Sequence, residues 1–260
     1  MKKIWMSSLE HDEKRVKELI SQLKTYGLEA GGHFWESEPK KFSWMSVREE
    51  LVKPEIAMWV IAGSEDTLRN EDVRYGLSLL AIMVQAARGI AFPVVVLQTE
   101  GNPVSPEGLP TPLKGVDVMS ASGGAFGAKL VAKVHGGGGE KDIPMEYRMD
   151  LYGNEQIGQW FEVGPAANVW SGAMFAVEGA EVVFHGVGPK GSLPSKAVLN
   201  YPMEGLKLKL GGRDYTAWAV QNELDRETSY FVKVKGFPSS LLFGPYSEEE
   251  SADVYVLELK

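Results

Sequence analysis

A run of four glycines, Gly136 to Gly139, divides the sequence into two stretches with different hydrophobic patterns. Glu140 to Pro144 follows it without apolar periodicity, and such a segment is typical of a flexible linker. Helical patterns alternate with short apolar runs before the glycines, whereas strand patterns dominate after them. The sequence therefore predicts a first domain at 1–135, a linker at 136–144 and a second domain at 145–260, each long enough to bury its own core.

The first stretch alternates strand and helix patterns in the order βαβαβαβα. Ile56 to Ala62 and Ala91 to Leu97 are continuous apolar runs, as in strands that are buried on both faces of a parallel sheet. Between Asp12 and Gly27, apolar residues recur at helical spacing, so these two residues are expected to cap a helix. The pattern predicts a parallel α/β sheet whose ligand crevice lies at the carboxyl ends of the strands.

The second stretch consists of short strand patterns separated by turn signals. They lie near 146–152, 159–163, 167–177, 180–187, 196–200, 205–210, 213–220, 229–236 and 252–259. Leu206 to Leu210 alternates cleanly and leads through Gly211-Gly212 into Asp214 to Trp218, which predicts a hairpin. Strands at near-regular spacing without helices predict an antiparallel β-sandwich or jelly roll.

Charge and cysteine content exclude several classes of function. The chain has no cysteine, which excludes disulfides, thiolate metal sites and cysteine nucleophiles. It has 27 basic and 35 acidic residues, so binding of a phosphate backbone is unfavourable and nucleic acid is not expected as a partner. Residues 1–135 are nearly neutral, with 16 basic and 17 acidic residues, so this stretch could still meet a nucleotide.

Other common motifs are missing from the sequence. The four histidines lack metal-ligand spacing, so no metal site is expected. No Walker loop or Gly-x-Gly-x-x-Gly motif follows a predicted strand, and the pairs Gly31-Gly32 and Gly123-Gly124 are interpreted as turns. The amino terminus lacks a signal-peptide core, and the longest apolar stretch, Leu77 to Ala87, is shorter than a membrane span. A cytoplasmic protein without membrane contact is expected.

Most tryptophans are expected in the cores. Trp5, Trp35, Trp44 and Trp59 lie in or beside predicted strands of the first domain. Trp160, Trp170 and Trp218 lie in the second domain, where core packing is favoured over stacking on a sugar or a base. An alternative is that the second domain binds carbohydrate through these rings while the first is only a scaffold.

Short polar segments follow the predicted strands of the first domain. Ser7 to Asp12 connects the first strand to the first helix. Gly27-Leu28 begins the second strand, which ends near Phe34-Trp35. Ser64 follows the buried strand Ile56 to Ala62.

In their order and spacing, these segments resemble the Toll/interleukin-1 receptor (TIR) domain family over residues 2–135. The family begins with a strand leading into a Ser-x-Ser-His-x-Asp-like turn, and Ser7 to Asp12 has one residue more between serine and histidine. Its second loop often carries an acidic-x-x-Pro-Gly element; Glu36 to Pro39 keeps this spacing, with Lys40 in place of glycine. Pro93 to Leu97, followed by Leu109-Pro110, is similar to the family's last strand and its proline-containing tail.

The resemblance also implies where a catalytic residue would lie. TIR domains that cleave NAD carry a glutamate in a Ser-x5-Ser-x-Trp-x3-Glu pattern, where a carboxylate can stabilise oxocarbenium charge. Counted from Ser64, the glutamate position falls on Gly76. Asp72, one helical turn earlier, and its neighbour Glu71 are the replacement candidates, although first-turn acids that complement the helix dipole are the favoured interpretation.

Two functions follow from the resemblance. The favoured one is a flavodoxin-like, TIR-like signalling protein that requires no cofactor and acts by self-association or by binding a protein partner, while the β-sandwich recognises an unknown ligand. The alternative is an NAD-consuming or nucleotide-binding enzyme of a prokaryotic defence or signalling system, triggered through the β-domain. In that case Ser8, Ser64 and Trp35 would contact NAD or a related nucleotide.

Overall fold

The computed structural model describes residues 1–136, 145–247 and 253–260. The described residues divide into two compact units. Unit 1 comprises 1–39 and 43–136, and unit 2 comprises 40–42, 145–247 and 253–260. Apart from Gly136, the predicted linker lies outside the described residues.

Unit 1 alternates strands and helices along the chain. Its strands are β1 (Lys2–Ser8), β2 (Leu28–Phe34), β3 (Ile56–Gly63), β4 (Val94–Gln98) and β5 (Asp117–Ser120). Its helices are α1 (Glu13–Thr25), α2 (Trp44–Leu51), α3 (Glu65–Arg69), α4 (Glu71–Arg88) and α5 (Phe126–His135). The short strand β5 and the one-turn helix α3 are not among the elements that the sequence pattern predicts.

All five strands of unit 1 pair in parallel, in the order β2-β1-β3-β4-β5. The prediction of a parallel α/β sheet is therefore confirmed. The central strands are buried except at Ala57 and Val94, which are half-buried, and Val60, Ile61 and Val95 to Leu97 are all at 0% exposure. This burial explains why β3 and β4 have no alternation of polar and apolar residues.

Helix α1 begins and ends at the residues that the sequence predicts. The side chain of Asp12 accepts a hydrogen bond from the backbone N–H of Arg15 at 3.0 Å. Gly27 follows the helix with a φ of 77°, and its N–H donates to the carbonyl of Lys24. Because this φ is strained for residues with a Cβ, glycine is the residue best suited to end the helix there.

Unit 2 contains nine strands in its described residues. They are β6 (Tyr147–Asn154), β7 (Gly158–Pro165), β8 (Ala173–Glu178), β9 (Glu181–Pro189), β10 (Met203–Leu210), β11 (Arg213–Val220), β12 (Thr228–Lys235), β13 (Ser240–Pro245) and β14 (Tyr255–Glu258). The predicted strand at 196–200 is wrong, because these residues lie in the connection between β9 and β10.

The strands of unit 2 form two antiparallel sheets, as the sequence predicts. One sheet has the order β10-β11-β8-β13-β14 and the other the order β6-β7-β12-β9. The predicted hairpin is confirmed: Leu210 pairs with Arg213, and Gly211 and Gly212 both have positive φ, as a tight two-residue turn requires. Buried Phe161 and Phe175, one from each sheet, pack with ring centroids 5.4 Å apart.

A buried ion pair links β6 to β7. The carboxylate of Glu162, with its side chain 4% exposed, lies 3.3 Å from the guanidinium of Arg148. Glu162 also accepts hydrogen bonds from the hydroxyl groups of Tyr152 and Ser229 and from the backbone N–H of Gly191. This cluster joins both neighbours of β7 and the loop after β9.

None of the helices in the described part of the chain combines the length and the apolar character needed to cross a membrane.

Candidate functional site

The carboxyl edge of the parallel sheet is organised around Glu10. Its carboxylate accepts hydrogen bonds from the backbone N–H of Ser64 at 2.7 Å, the hydroxyl of Thr67 at 2.9 Å and the hydroxyl of Thr99 at 3.4 Å. Burial opposes the charged form, yet these hydrogen bonds hold the pKa of Glu10 below its usual value. Glu10 therefore links the segments that follow β1, β3 and β4.

Ser8 and Ser64, the predicted nucleotide contacts, are both engaged in local hydrogen bonds. The hydroxyl of Ser8 donates to the carbonyl of Glu10 at 2.8 Å. The hydroxyl of Ser64 accepts from the backbone N–H of Thr67 at 3.3 Å and caps α3. These contacts position the loops at the sheet edge.

The two candidate carboxylates, Glu71 and Asp72, are exposed in the first turn of α4. This turn is capped by Asn70, whose side-chain oxygen accepts from the N–H groups of Asp72 and Val73 at 3.0 and 3.1 Å. Acids in this position complement the positive end of the helix dipole.

Gly76 is buried against Trp35. A Cβ at position 76 would lie 2.7 Å from Cζ2 of the Trp35 indole, which is closer than real Cβ atoms approach. Trp35 itself is 4% exposed, and its backbone N–H donates to the carbonyl of Ser8 at 2.7 Å. The indole ring thus occupies the space that a side chain at position 76 would need.

A cavity of about 270 Å³ in unit 1 has aromatic side chains as half of its lining residues. They come from β1, from the end of β2 with the segment after it, and from the start of α2: Trp5, His33, Phe34, Trp35 and Trp44. We call this space the aromatic cavity. Of the residues predicted as a nucleotide site, only Trp35 lines it.

Because Gly31 has no side chain, the Trp5 ring can lie close to β2. Trp5 pairs with Gly31 in the parallel ladder, and a Cβ on Gly31 would lie 3.0 Å from the Trp5 ring. Because strand side chains alternate, His33 lies on the same face as Gly31, and the indole N–H of Trp5 donates to its Nδ1 at 3.1 Å. The interpretation of Gly31-Gly32 as a turn is wrong: both residues lie within β2.

Two residues that line the cavity, His33 and Trp35, each carry a buried N–H that meets no hydrogen-bond acceptor among the described residues. Nδ1 of His33 accepts from Trp5, so the proton of the neutral imidazole lies on Nε2, which has no partner. The indole Nε1–H of Trp35 likewise has none. The ring centroids of His33 and Trp35 are 6.1 Å apart. Buried polar groups normally have hydrogen-bond partners, so two buried donors without an acceptor are unusual.

Burial lowers the pKa of His33 to about 4. The neutral ring is therefore the form present at neutral pH. Its protonation would also remove the acceptor that Trp5 uses, because Nδ1 would then carry a proton.

We expect unit 1 to become less stable as the pH falls, because protonation of His33 is less favourable in the folded protein than in the unfolded chain. The unfolded histidine binds its proton near pH 6.5 and the folded one near 4, so stability is complete above pH 6.5 and lost as the pH falls toward 4. Urea unfolding at pH 7.5 and 5 should show that His33→Asn removes about 1–2 kcal/mol of the acid-induced loss. The same exchange at the exposed His135, His135→Asn, is the control and should leave the loss unchanged. Parallel losses in His33→Asn and the unsubstituted protein would contradict the prediction.

Most tryptophans are buried, as the sequence predicts. Trp35, Trp44 and Trp59 are buried, and Trp5 is half-buried. In unit 2, Trp160 and Trp170 are buried, whereas Trp218 is half-buried with its ring edge-on to His185.

Comparison with known proteins gives little. No family model matches the chain, and no curated protein sequence matches it significantly. Among solved structures, it is similar to an NAD kinase from Archaeoglobus fulgidus in complex with ATP, at 10% identity over 95% of this chain and 94% of that chain. The TM-score is 0.28, so this similarity carries no argument about fold or function.

Metal ligands are not clustered in either unit. No group of three or more His, Asp or Glu side chains within 1–136, 145–247 and 253–260 is arranged to hold a metal ion.

Proposed function

We propose that unit 1 is a TIR-like domain of flavodoxin-like topology that acts by binding a partner or by self-association rather than by cleaving NAD. The parallel strand order β2-β1-β3-β4-β5 supports this topology, because it is the order of flavodoxin-type doubly wound sheets. The β1 turn that leads into α1, and Ser64 directly after β3, support the family assignment by their places in the fold.

The contact between Gly76 and Trp35 is the main observation that supports a binding function over catalysis. A carboxylate at position 76 would collide with the indole ring, since even its Cβ would lie 2.7 Å from Cζ2. The replacement candidates Glu71 and Asp72 lie at solvent-exposed positions in a capped helical turn. Catalysis at this edge would need a carboxylate beside a bound ribose. The exposed positions of Glu71 and Asp72 do not favour this placement.

Unit 2 serves as the recognition module in this proposal, with a β-sandwich arrangement of its two sheets. The packing of Phe161 on Phe175 across the sheets supports that arrangement. The carbohydrate alternative is weaker, because a sugar-stacking platform needs exposed rings, whereas Trp160 and Trp170 are buried and Trp218 is half-buried against His185.

An NAD-cleavage assay tests the proposal. The full chain, incubated with NAD over a range of protein concentrations, should release nicotinamide no faster than buffer. Asp72→Ala and Glu71→Ala should leave that rate unchanged, and Asp214→Ala, at an exposed carboxylate of unit 2, is a matched control. Nicotinamide release that is abolished by Asp72→Ala, but not by Asp214→Ala, would overturn the proposal in favour of the NAD-consuming enzyme.

A further inference from the structure

We propose that His185 couples proton uptake to the position of the edge strand β10: the charged imidazole holds the Glu204 carboxylate in an ion pair, whereas the neutral imidazole does not. The contact lies within unit 2 and joins its two sheets, because His185 lies on β9 and Glu204 on β10. The inference therefore does not rest on the TIR assignment of unit 1. Three observations carry it: a hydrogen bond at Nδ1, a close contact at Nε2, and a bulge in β10.

The imidazole of His185 is buried and held in one orientation. The residue is 3% exposed, and its Nδ1 lies 2.6 Å from the hydroxyl of Tyr230 on β12, which is 0% exposed. On another side, its ring stands edge-on to Trp218 of β11, with centroids 4.7 Å apart. These contacts fix the direction in which Nε2 points.

Nε2 of His185 lies 3.4 Å from Oε1 of Glu204, yet this contact does not have hydrogen-bond geometry. An unprotonated Nε2 would place its lone pair against a carboxylate, so the neutral ring carries its proton on Nε2, and Nδ1 accepts from the Tyr230 hydroxyl. A proton from solvent is then taken up at Nδ1. The ring becomes positively charged beside the carboxylate, and the Tyr230 hydroxyl can no longer donate to it.

Glu204 is the counterion that acts on His185. Burial lowers the pKa of His185 and the Glu204 carboxylate raises it, so that the pKa lies below its ordinary value. Burial raises the pKa of Tyr230, which therefore stays neutral, and Trp218 carries no charge. The ammonium of Lys207, the next charged residue on β10, donates to a hydroxyl group of β11 at 2.8 Å.

Glu204 lies at a point where β10 can shift. β10 is the edge strand of its sheet, and its pairing with β11 changes register between Met203 and Leu206. Glu204 and Gly205 lie in this bulge, and Gly205 has a φ of 73°, which residues with a Cβ rarely adopt. The carboxylate can therefore approach or leave the imidazole without breaking the regular ladder from Leu206 onward.

A pH titration of the isotope-labelled full chain, followed by NMR, tests the coupling. The His185 ring should titrate below pH 6.5 while the protein stays folded. The backbone amide signals of Glu204 and Gly205 should shift with the same midpoint. If His185 does not titrate in the folded protein, or if these amides do not follow it, the proposal is wrong.

Variants identify the groups responsible. Glu204→Gln removes the counterion and should lower the His185 midpoint by about 0.5 pH unit. Glu181→Gln, the same exchange at an exposed position of β9, is the control and should not change it. His185→Gln offers Tyr230 an amide acceptor and should abolish the pH-dependent shift of the Glu204 and Gly205 amides.

A His185 midpoint that is unchanged in Glu204→Gln would contradict the proposal. So would a shift of the two amides that persists in His185→Gln, because it would then report another titrating group. If His185→Gln does not fold, the comparison of Glu204→Gln with Glu181→Gln decides the question, since both substitutions lie at exposed positions.

Discussion

Gly76→Glu is expected to destabilise unit 1 by about 3–5 kcal/mol. This substitution places a carboxylate where the resemblance to NAD-cleaving TIR domains would have it. The new Cβ would lie 2.7 Å from the Trp35 ring, and the charge would enter a buried part of α4. Urea unfolding followed by far-UV circular dichroism measures the loss.

Gly76→Ala separates steric overlap from charge. Alanine gains about 1 kcal/mol over glycine in a helix interior, but overpacking typically costs about 1–3 kcal/mol. We expect a net loss in the presence of Trp35. With Trp35→Leu as the background, the ring is absent, and the same Gly76→Ala exchange should become stabilising by up to about 1 kcal/mol. A stabilising Gly76→Ala with Trp35 intact would refute the packing argument.

Glu162→Leu is expected to cost unit 2 about 3–5 kcal/mol. Leucine would leave the partly buried guanidinium of Arg148 without its ion-pair partner. It would also remove the acceptor for Tyr152 and for the backbone N–H of Gly191. Urea unfolding is again the measurement. The control is Asp214→Ala, because the exposed Asp214–Lys209 pair should contribute at most about 1 kcal/mol.

A second substitution distinguishes the unpaired charge from lost packing. Glu162→Leu combined with Arg148→Met removes both charges while keeping aliphatic volume on β6 and β7. We expect the double variant to be more stable than Glu162→Leu alone, because no buried charge is left uncompensated. If the double variant is equally or less stable, the loss comes from packing or from the other hydrogen bonds rather than from the stranded guanidinium.

The site was less predictable from sequence than the fold. The aromatic cavity was missed because Trp5 and Trp44 were expected only as core residues, and Trp35 was expected in the core or, in the enzyme alternative, beside a nucleotide with Ser8 and Ser64. The available signal was the alternation in β2: Gly31 and His33 share a face, and a glycine in a strand indicates close approach of another group. Glu10 was missed because its donors, Ser64 and Thr67 after β3 and Thr99 after β4, are more than 50 residues away along the chain.

The sequence by itself determined the elements whose causes are local. Asp12 caps the start of α1 and Gly27 follows its end, the apolar runs form the buried strands β3 and β4, and Gly211-Gly212 makes the β10–β11 turn. The tertiary structure decided which side chains meet across long sequence separations. Only packing brings Trp35 onto Gly76 and Trp5 beside His33, because these contacts depend on strand pairing and helix docking rather than on neighbours along the chain.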